Sequence, residues 1–161
     1  MTAIEWQLLL LIMAANAAPI LANHLMPRLG NWPIDAGLEF FDGQPFLGAS
    51  KTWRGLISAL ILSVLLAAAL RLPVGLALGV ACLAMLGDLI SSFTKRRLQI
   101  GPSGKAVLLD QIPESLLPAL LAQAWLGLPF ASVVWIVFLF FILELAISPL
   151  AYRMRIRKRP Y

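Results

Sequence analysis

The residues best equipped for chemistry lie between Gly87 and Glu114, in GDLISSFTKRRLQIGPSGKAVLLDQIPE. An acid, Asp88, follows the apolar run 80–86; a hydroxyl comes at Ser92, then the cations Lys95, Arg96 and Arg97. On a helix, positions 88, 92 and 95 share one face, with Ser91 beside them. After a turn at Gly101, Pro102, Ser103 and Gly104, a second acid, Asp110, opens another apolar segment. Asp88 and Asp110 are hard oxygen donors suited to Mg²⁺, which binds through one or two carboxylates plus substrate phosphates. Lys51, Lys95, Arg96 and Arg97 are cations that neutralise phosphates. A zinc-type site is disfavoured, because His24 and Cys82 are the single His and Cys of the chain. The competing reading is that Lys95–Arg97 only anchor topology and that Asp88 pairs with one of them. An acid at an apolar helix end weighs toward function.

These residues sit in a very apolar chain. Of 161 residues, 60% are hydrophobic and 13% charged, with a mean hydropathy of +0.85. Soluble domains carry about 25% charged residues. The expected class is an all-α integral membrane protein, one domain over 1–161, with about five transmembrane helices. The net charge of +5 and pI near 10 fit basic residues facing the cytoplasm and anionic lipid better than they fit nucleic acid. Cys82 cannot form an internal disulfide and reads as a small core or lipid-facing residue.

The spans are expected at about 6–21, 56–70, 74–93, 113–126 and 131–150. The first could be a secretory signal, since Ala14-Ala15-Asn16-Ala17 resembles a cleavage region. A signal needs a basic start, however, and only Glu5 precedes the span, so a retained helix is favoured. Several spans are shorter than the roughly 20 residues that cross a bilayer upright; polar residues at their ends must extend them. Residues 24–54 form a long polar connection between spans 1 and 2, rich in Gly, Pro and Asp, where turns and an amphipathic or re-entrant piece are expected. In it His24 reads as a polar loop contact. A second polar loop joins spans 3 and 4. With five spans, both loops and the C-terminal tail share one side, and with them every Lys and Arg except Arg71. The positive-inside rule then puts the loops and C-terminus in the cytoplasm and the N-terminus outside. Trp6, Trp53, Trp125 and Tyr152 fall near span ends, as interfacial aromatics do. Gly- and Ala-rich faces could pack within the chain or form a homodimer seam.

No Walker-type, nucleophile-elbow or HExxH pattern is present. Gly48-Ala49-Ser50-Lys51-Thr52 has the flavour of a phosphate loop without its glycine spacing. Glu144, within the fifth span, reads as structural. The ordered motifs Asn16-Ala17-Ala18-Pro19, Pro33-Ile34-Asp35-Ala36-Gly37, Asp42-Gly43, Gly48–Gly55, Gly87-Asp88 through Ser92 to Arg97, and Leu109-Asp110-Gln111 together resemble the CDP-archaeol synthase family, relatives of the phosphatidate cytidylyltransferases.

The resemblance covers nearly the whole chain. It implies a membrane cytidylyltransferase that joins CTP to a lipid phosphate, releasing pyrophosphate and leaving a CDP-lipid. By resemblance, Asp88 and Asp110 match the metal-binding acids, with Mg²⁺ as cofactor and Lys95 completing a catalytic set. Lys51, Lys95 and Arg96 match basic positions expected to hold phosphates and Ser92 matches the hydroxyl between them; Thr52 and Arg97 join the expected nucleotide- and phosphate-binding set, Arg97 as a helper. The implied partners are CTP, a lipid phosphate of ether- or ester-linked type, and the bilayer. One departure stands out. The family's Asp-x-x-Asp reads Asp110-Gln111-Ile112-Pro113 here, with Glu114 one place later. Either Glu114 replaces the second acid or the activity is altered. The alternative is therefore a non-catalytic homologue that binds nucleotide or anionic lipid. A small transporter ranks third, for want of an internal repeat.

Overall fold

The protein, a computed structural model, is described for residues 2–27, 29–101, 104 and 106–154. Arg28, Pro102, Ser103, Lys105 and the basic tail from 155 onward, used above for the turn and the charge asymmetry, lie outside these residues. Among the described residues five helices follow one another: α1 (Ala3–Leu25), α2 (Trp53–Leu70), α3 (Val74–Arg97), α4 (Gln111–Leu126) and α5 (Phe130–Arg153).

The helices begin and end where the sequence provides the signals. The Thr52 hydroxyl accepts from Gly55 N at 3.3 Å and caps α2. Pro73 and Pro129 precede the first residues of α3 and α5, where a missing N–H costs nothing. As the short spans required, polar ends lengthen α1, α3 and α5 to 23, 24 and 24 residues. His24 thereby falls in the last turn of α1 instead of a loop. Among the described residues four helices (α1, α2, α3 and α5) are long and apolar enough to cross a membrane. The 16 residues of α4 rise about 24 Å, short of the roughly 30 Å hydrocarbon core.

Away from the polar stretch, Leu8, Leu9, Leu11 and Ile12 of α1 pack with Leu76, Ala77 and Val80 of α3 and with Val133, Ile136 and Phe140 of α5. Nearer to it the buried residues are mostly small, Ala15, Ala18, Ala59, Ala81 and Ala84, with Met85, so the backbones approach closely. Pro19 of α1 meets α2 at Gly55, where an added Cβ would lie 3.2 Å from the proline ring. Asn16 Nδ2 donates to Ile12 O at 3.0 Å and to Glu114 O at 3.4 Å within the bundle, while its buried Oδ1 has no hydrogen-bond partner.

The connection 26–52 holds turns and two isolated β-bridges, with no helix among its described residues. The turns expected there are present, and the chain between them is a folded loop without helix among its described residues. Residues 32–34 pair with 51–53: Ile34 N donates to Lys51 O at 2.8 Å and Trp53 N to Trp32 O at 3.1 Å. Gly and Pro along this segment favour turns over a continuous helix.

Candidate active site

Asp35, buried to 6% exposure, organises the loop that carries Lys51. Its Oδ2 accepts from Leu47 N at 2.9 Å and Gly48 N at 3.0 Å, and its Oδ1 from Gly37 N at 3.1 Å. Burial alone would raise this carboxyl, but the three backbone donors outweigh it and hold it below the ordinary carboxylate range. Gly48, at φ +96°, turns the chain, and Lys51 N closes the turn on Gly48 O at 3.1 Å. Arg54 locks the other side. Its guanidinium donates to Met26 O at 2.5 Å, Leu29 O at 2.9 Å, Asn23 Oδ1 at 2.8 Å and Asn31 Oδ1 at 3.2 Å.

So held, Lys51 Nζ reaches across to α3 and lies 2.6 Å from each carboxylate oxygen of Asp88. Two turns further along α3, Lys95 Nζ lies 2.6 Å from Asp110 Oδ1, just ahead of α4. Two lysine–aspartate pairs thus tie the loop, α3 and the start of α4 together. Ser91 and Ser92 lie between them, 1% and 2% exposed. Ser91 donates across to Leu109 O at 2.6 Å. Arg96 is buried, and its Nε lacks a hydrogen-bond partner. An added Cβ on Gly48 would lie 3.9 Å from that nitrogen, so the guanidinium runs beneath the Lys51 turn.

The α3–α4 crossing is set by Gly87, next to Asp88. A Cβ there would fall 2.3 Å from Pro113 O and 2.5 Å from Glu114 N. Only a residue without a side chain lets the α4 backbone come this close. Glu114 is buried, within electrostatic reach of Asp88, Glu144, Lys51 and Asp110. The acid beyond Pro113 therefore turns into the same polar centre as the aspartates.

Of the expected site residues, Asp88, Asp110, Lys51, Lys95, Ser92 and Arg96 gather at this end of the bundle. Two make further structural contacts. The Thr52 hydroxyl is engaged as a helix cap. Arg97 leaves the centre: it donates to Asp42 Oδ1 at 2.9 Å and Pro45 O at 2.7 Å, and stacks over the Phe40 and Phe93 rings. The roles of Asp35 and Arg54 were missed, because nothing in the spacing says that a loop acid grips amides a dozen residues on. Glu144 also belongs to the polar neighbourhood.

Among the described residues no group of three or more His, Cys, Asp or Glu side chains could by itself hold a metal ion. The donor set at hand, two aspartates already facing cations, suits a hard cation that takes its remaining ligands from phosphate and water.

A family model described as CDP-archaeol synthase (CarS-like) matches residues 2–74 and 69–161. A CDP-archaeol synthase of Thermofilum pendens is 38% identical over 74% of this chain and 61% of its own length. Another, of Pyrococcus furiosus, is 31% identical over 91% of this chain and 90% of its own. A third, of Hyperthermus butylicus, is 41% identical over 62% of this chain; the match spans three fifths of that relative (60%). A solved structure described as an intramembrane enzyme for archaeal membrane lipids biosynthesis superposes with a TM-score of 0.72. It is 33% identical, over 87% of this chain and 89% of the other.

Proposed function

The chain belongs to the CDP-archaeol synthase family, and from that premise we propose that it is a multi-pass membrane cytidylyltransferase joining CTP to a lipid phosphate. The observation that carries this reading is the pair of lysine–aspartate contacts, Lys51–Asp88 and Lys95–Asp110, set about one helix at a bundle end. Each couples a cation able to hold phosphate with a carboxylate able to hold a metal.

In the proposed reaction an oxygen of the lipid phosphate attacks the α-phosphorus of CTP. The bond from that phosphorus to the bridging oxygen breaks, and pyrophosphate leaves with the electron pair. The nucleophile is already an anion, so no covalent enzyme intermediate is needed. Lys51 and Lys95 exchange their aspartates for phosphate oxygens, and Arg96, with its unpartnered Nε, adds a further donor to the anionic cluster. Asp88 and Asp110 are the residues that would hold Mg²⁺, which would offset charge on the triphosphate. Asp35 and Arg54 fix the loop so that Lys51 needs little rearrangement.

The lipid tails need a lateral, apolar approach. A groove of about 440 Å³ between α4 and α5, lined by residues that include Leu108, Ile112, Leu116, Val133 and Phe138, supports entry there, since Leu108 and Ile112 flank Asp110 in sequence. In the proposed topology the polar centre faces the cytoplasm, where CTP is found, and the N-terminus lies outside.

The test is a transfer assay on protein in nanodiscs with labelled CTP, Mg²⁺ and a panel of ether- and ester-linked lipid phosphates. A CDP-lipid product, lost in Asp88→Asn, supports the reading and identifies the acceptor. Folded protein that binds CTP yet yields no product with any acceptor overturns it. That result favours a binding role and directs attention to Pro113 and Glu114.

A further inference from the structure

Residues 38–46 form a small hairpin: Phe40 N donates to Gln44 O at 2.8 Å and Phe46 N to Leu38 O at 2.7 Å. It is fastened to the side of α3 rather than capping the bundle. The Phe40 and Phe46 rings sit 5.4 and 5.1 Å from the Phe93 ring. The Arg97 guanidinium lies over Phe40 at 4.6 Å and over Phe93 at 4.9 Å, and bonds Asp42 on the hairpin. In the turn Phe41 is fully exposed (100%), and at the open end of the hairpin Leu38 is 64% exposed.

The face of α3 beneath this attachment is not covered by another helix. Leu78, Leu86 and Ile90 are 40%, 45% and 45% exposed, and Cys82 is exposed as well. At spacings of four they form one stripe, which in a membrane-spanning helix meets hydrocarbon. Phe93 and Arg97 continue it. Counting about 20 residues, roughly 30 Å, from Val74 puts Phe93 at the far boundary of the hydrocarbon. The hairpin is therefore carried at the headgroup level beside α3, with its apolar tip uncovered.

We propose that the 38–46 hairpin is an interfacial anchor that buries Phe41 and Leu38 in the headgroup–acyl boundary of the bilayer. Continuity with the lipid-facing stripe selects lipid as the occupant, and aromatic rings are favoured at that depth. The charge of Asp42 is neutralised by Arg97. The hairpin leads into Leu47 and Gly48, which Asp35 holds, and thence to Lys51. Anchoring the tip fixes the height of that lysine relative to lipid phosphates.

The experiment is spin-label depth measurement in nanodiscs, on a Cys82→Ala background carrying Phe41→Cys, with Leu38→Cys as an independent second position. It reads membrane depth, not turnover, so it is independent of the proposed reaction. The expected result at both positions is an oxygen-to-nickel-chelate accessibility ratio several-fold above that of free label in buffer. A ratio equal to the free label puts the tip in water and overturns the proposal. Shielding from both reagents points to a protein contact, such as a second copy, and overturns it too.

Discussion

Lys51 Nζ bonds both carboxylate oxygens of Asp88 at 2.6 Å, across 37 residues of sequence, with the two side chains 18% and 28% exposed. The contact neutralises two ionised groups at the edge of an apolar bundle and keeps the lysine of the loop over the acid of α3. Each half of the pair is expected to matter both for folding and for turnover.

Lys51→Met leaves Asp88 half-buried without its cation. Loss of a charged partner at a partly buried site costs about 1–3 kcal/mol. Pairing Lys51→Met with Asp88→Asn should recover part of that loss, which thermal unfolding of the single and double variants in detergent will show. Turnover should fall by about 100- to 1,000-fold in Lys51→Met, as when a donor to a developing charge is removed. Steady-state transfer kinetics read that fall.

Gly87→Ala inserts a Cβ into the Pro113 carbonyl, where the obstacle is backbone that cannot swing aside. Overpacking of this kind costs about 1–3 kcal/mol or more. It also displaces α4, and with it Asp110, from α3. A lower unfolding temperature together with lost transfer activity is expected. Gly101→Ala, which meets nothing within 4 Å, should be nearly silent.

Asp35 supplies a pH signature. Its folded pKa is depressed by the backbone donors of Leu47, Gly48 and Gly37 acting against burial. The stabilisation is therefore fully present above the unfolded value, about pH 4. It fades as pH falls through the lower folded value. Asp35→Asn should be less stable than the parent near neutrality, and the gap should close with acidification below about pH 4. Unfolding followed from pH 7 to pH 3 checks the sign.

Arg54→Lys keeps the charge but loses the fork that reaches four acceptors. Residues 26–34 should then exchange backbone amides faster, while α3 and α5 keep their protection. Hydrogen exchange by mass spectrometry resolves the two regions. Because Lys51 is paired to residues 32–34 through the backbone, the apparent KM for CTP is expected to rise more than kcat falls.

The sequence by itself determined the class, the helices and the family. Long runs without a charge, such as residues 115–143, belong to helices, which satisfy their own backbone in hydrocarbon. Prolines 73 and 129 marked helix starts, and the spacing of Asp88, Ser92 and Lys95 put them on one face. The start of α4 was read two residues late, at Pro113, since proline is tolerated anywhere in a first turn and marks a start only loosely. What pattern could not supply was partnership between distant segments. That Lys51 meets Asp88, that Lys95 meets Asp110, and that Arg97 turns away to clasp a hairpin depends on how the loop folds back over α3. The deciding groups there are the Asp35 carboxylate and the bare Gly87, and both act through contacts with backbone. Backbone contacts carry no residue signature, so only the tertiary structure shows them.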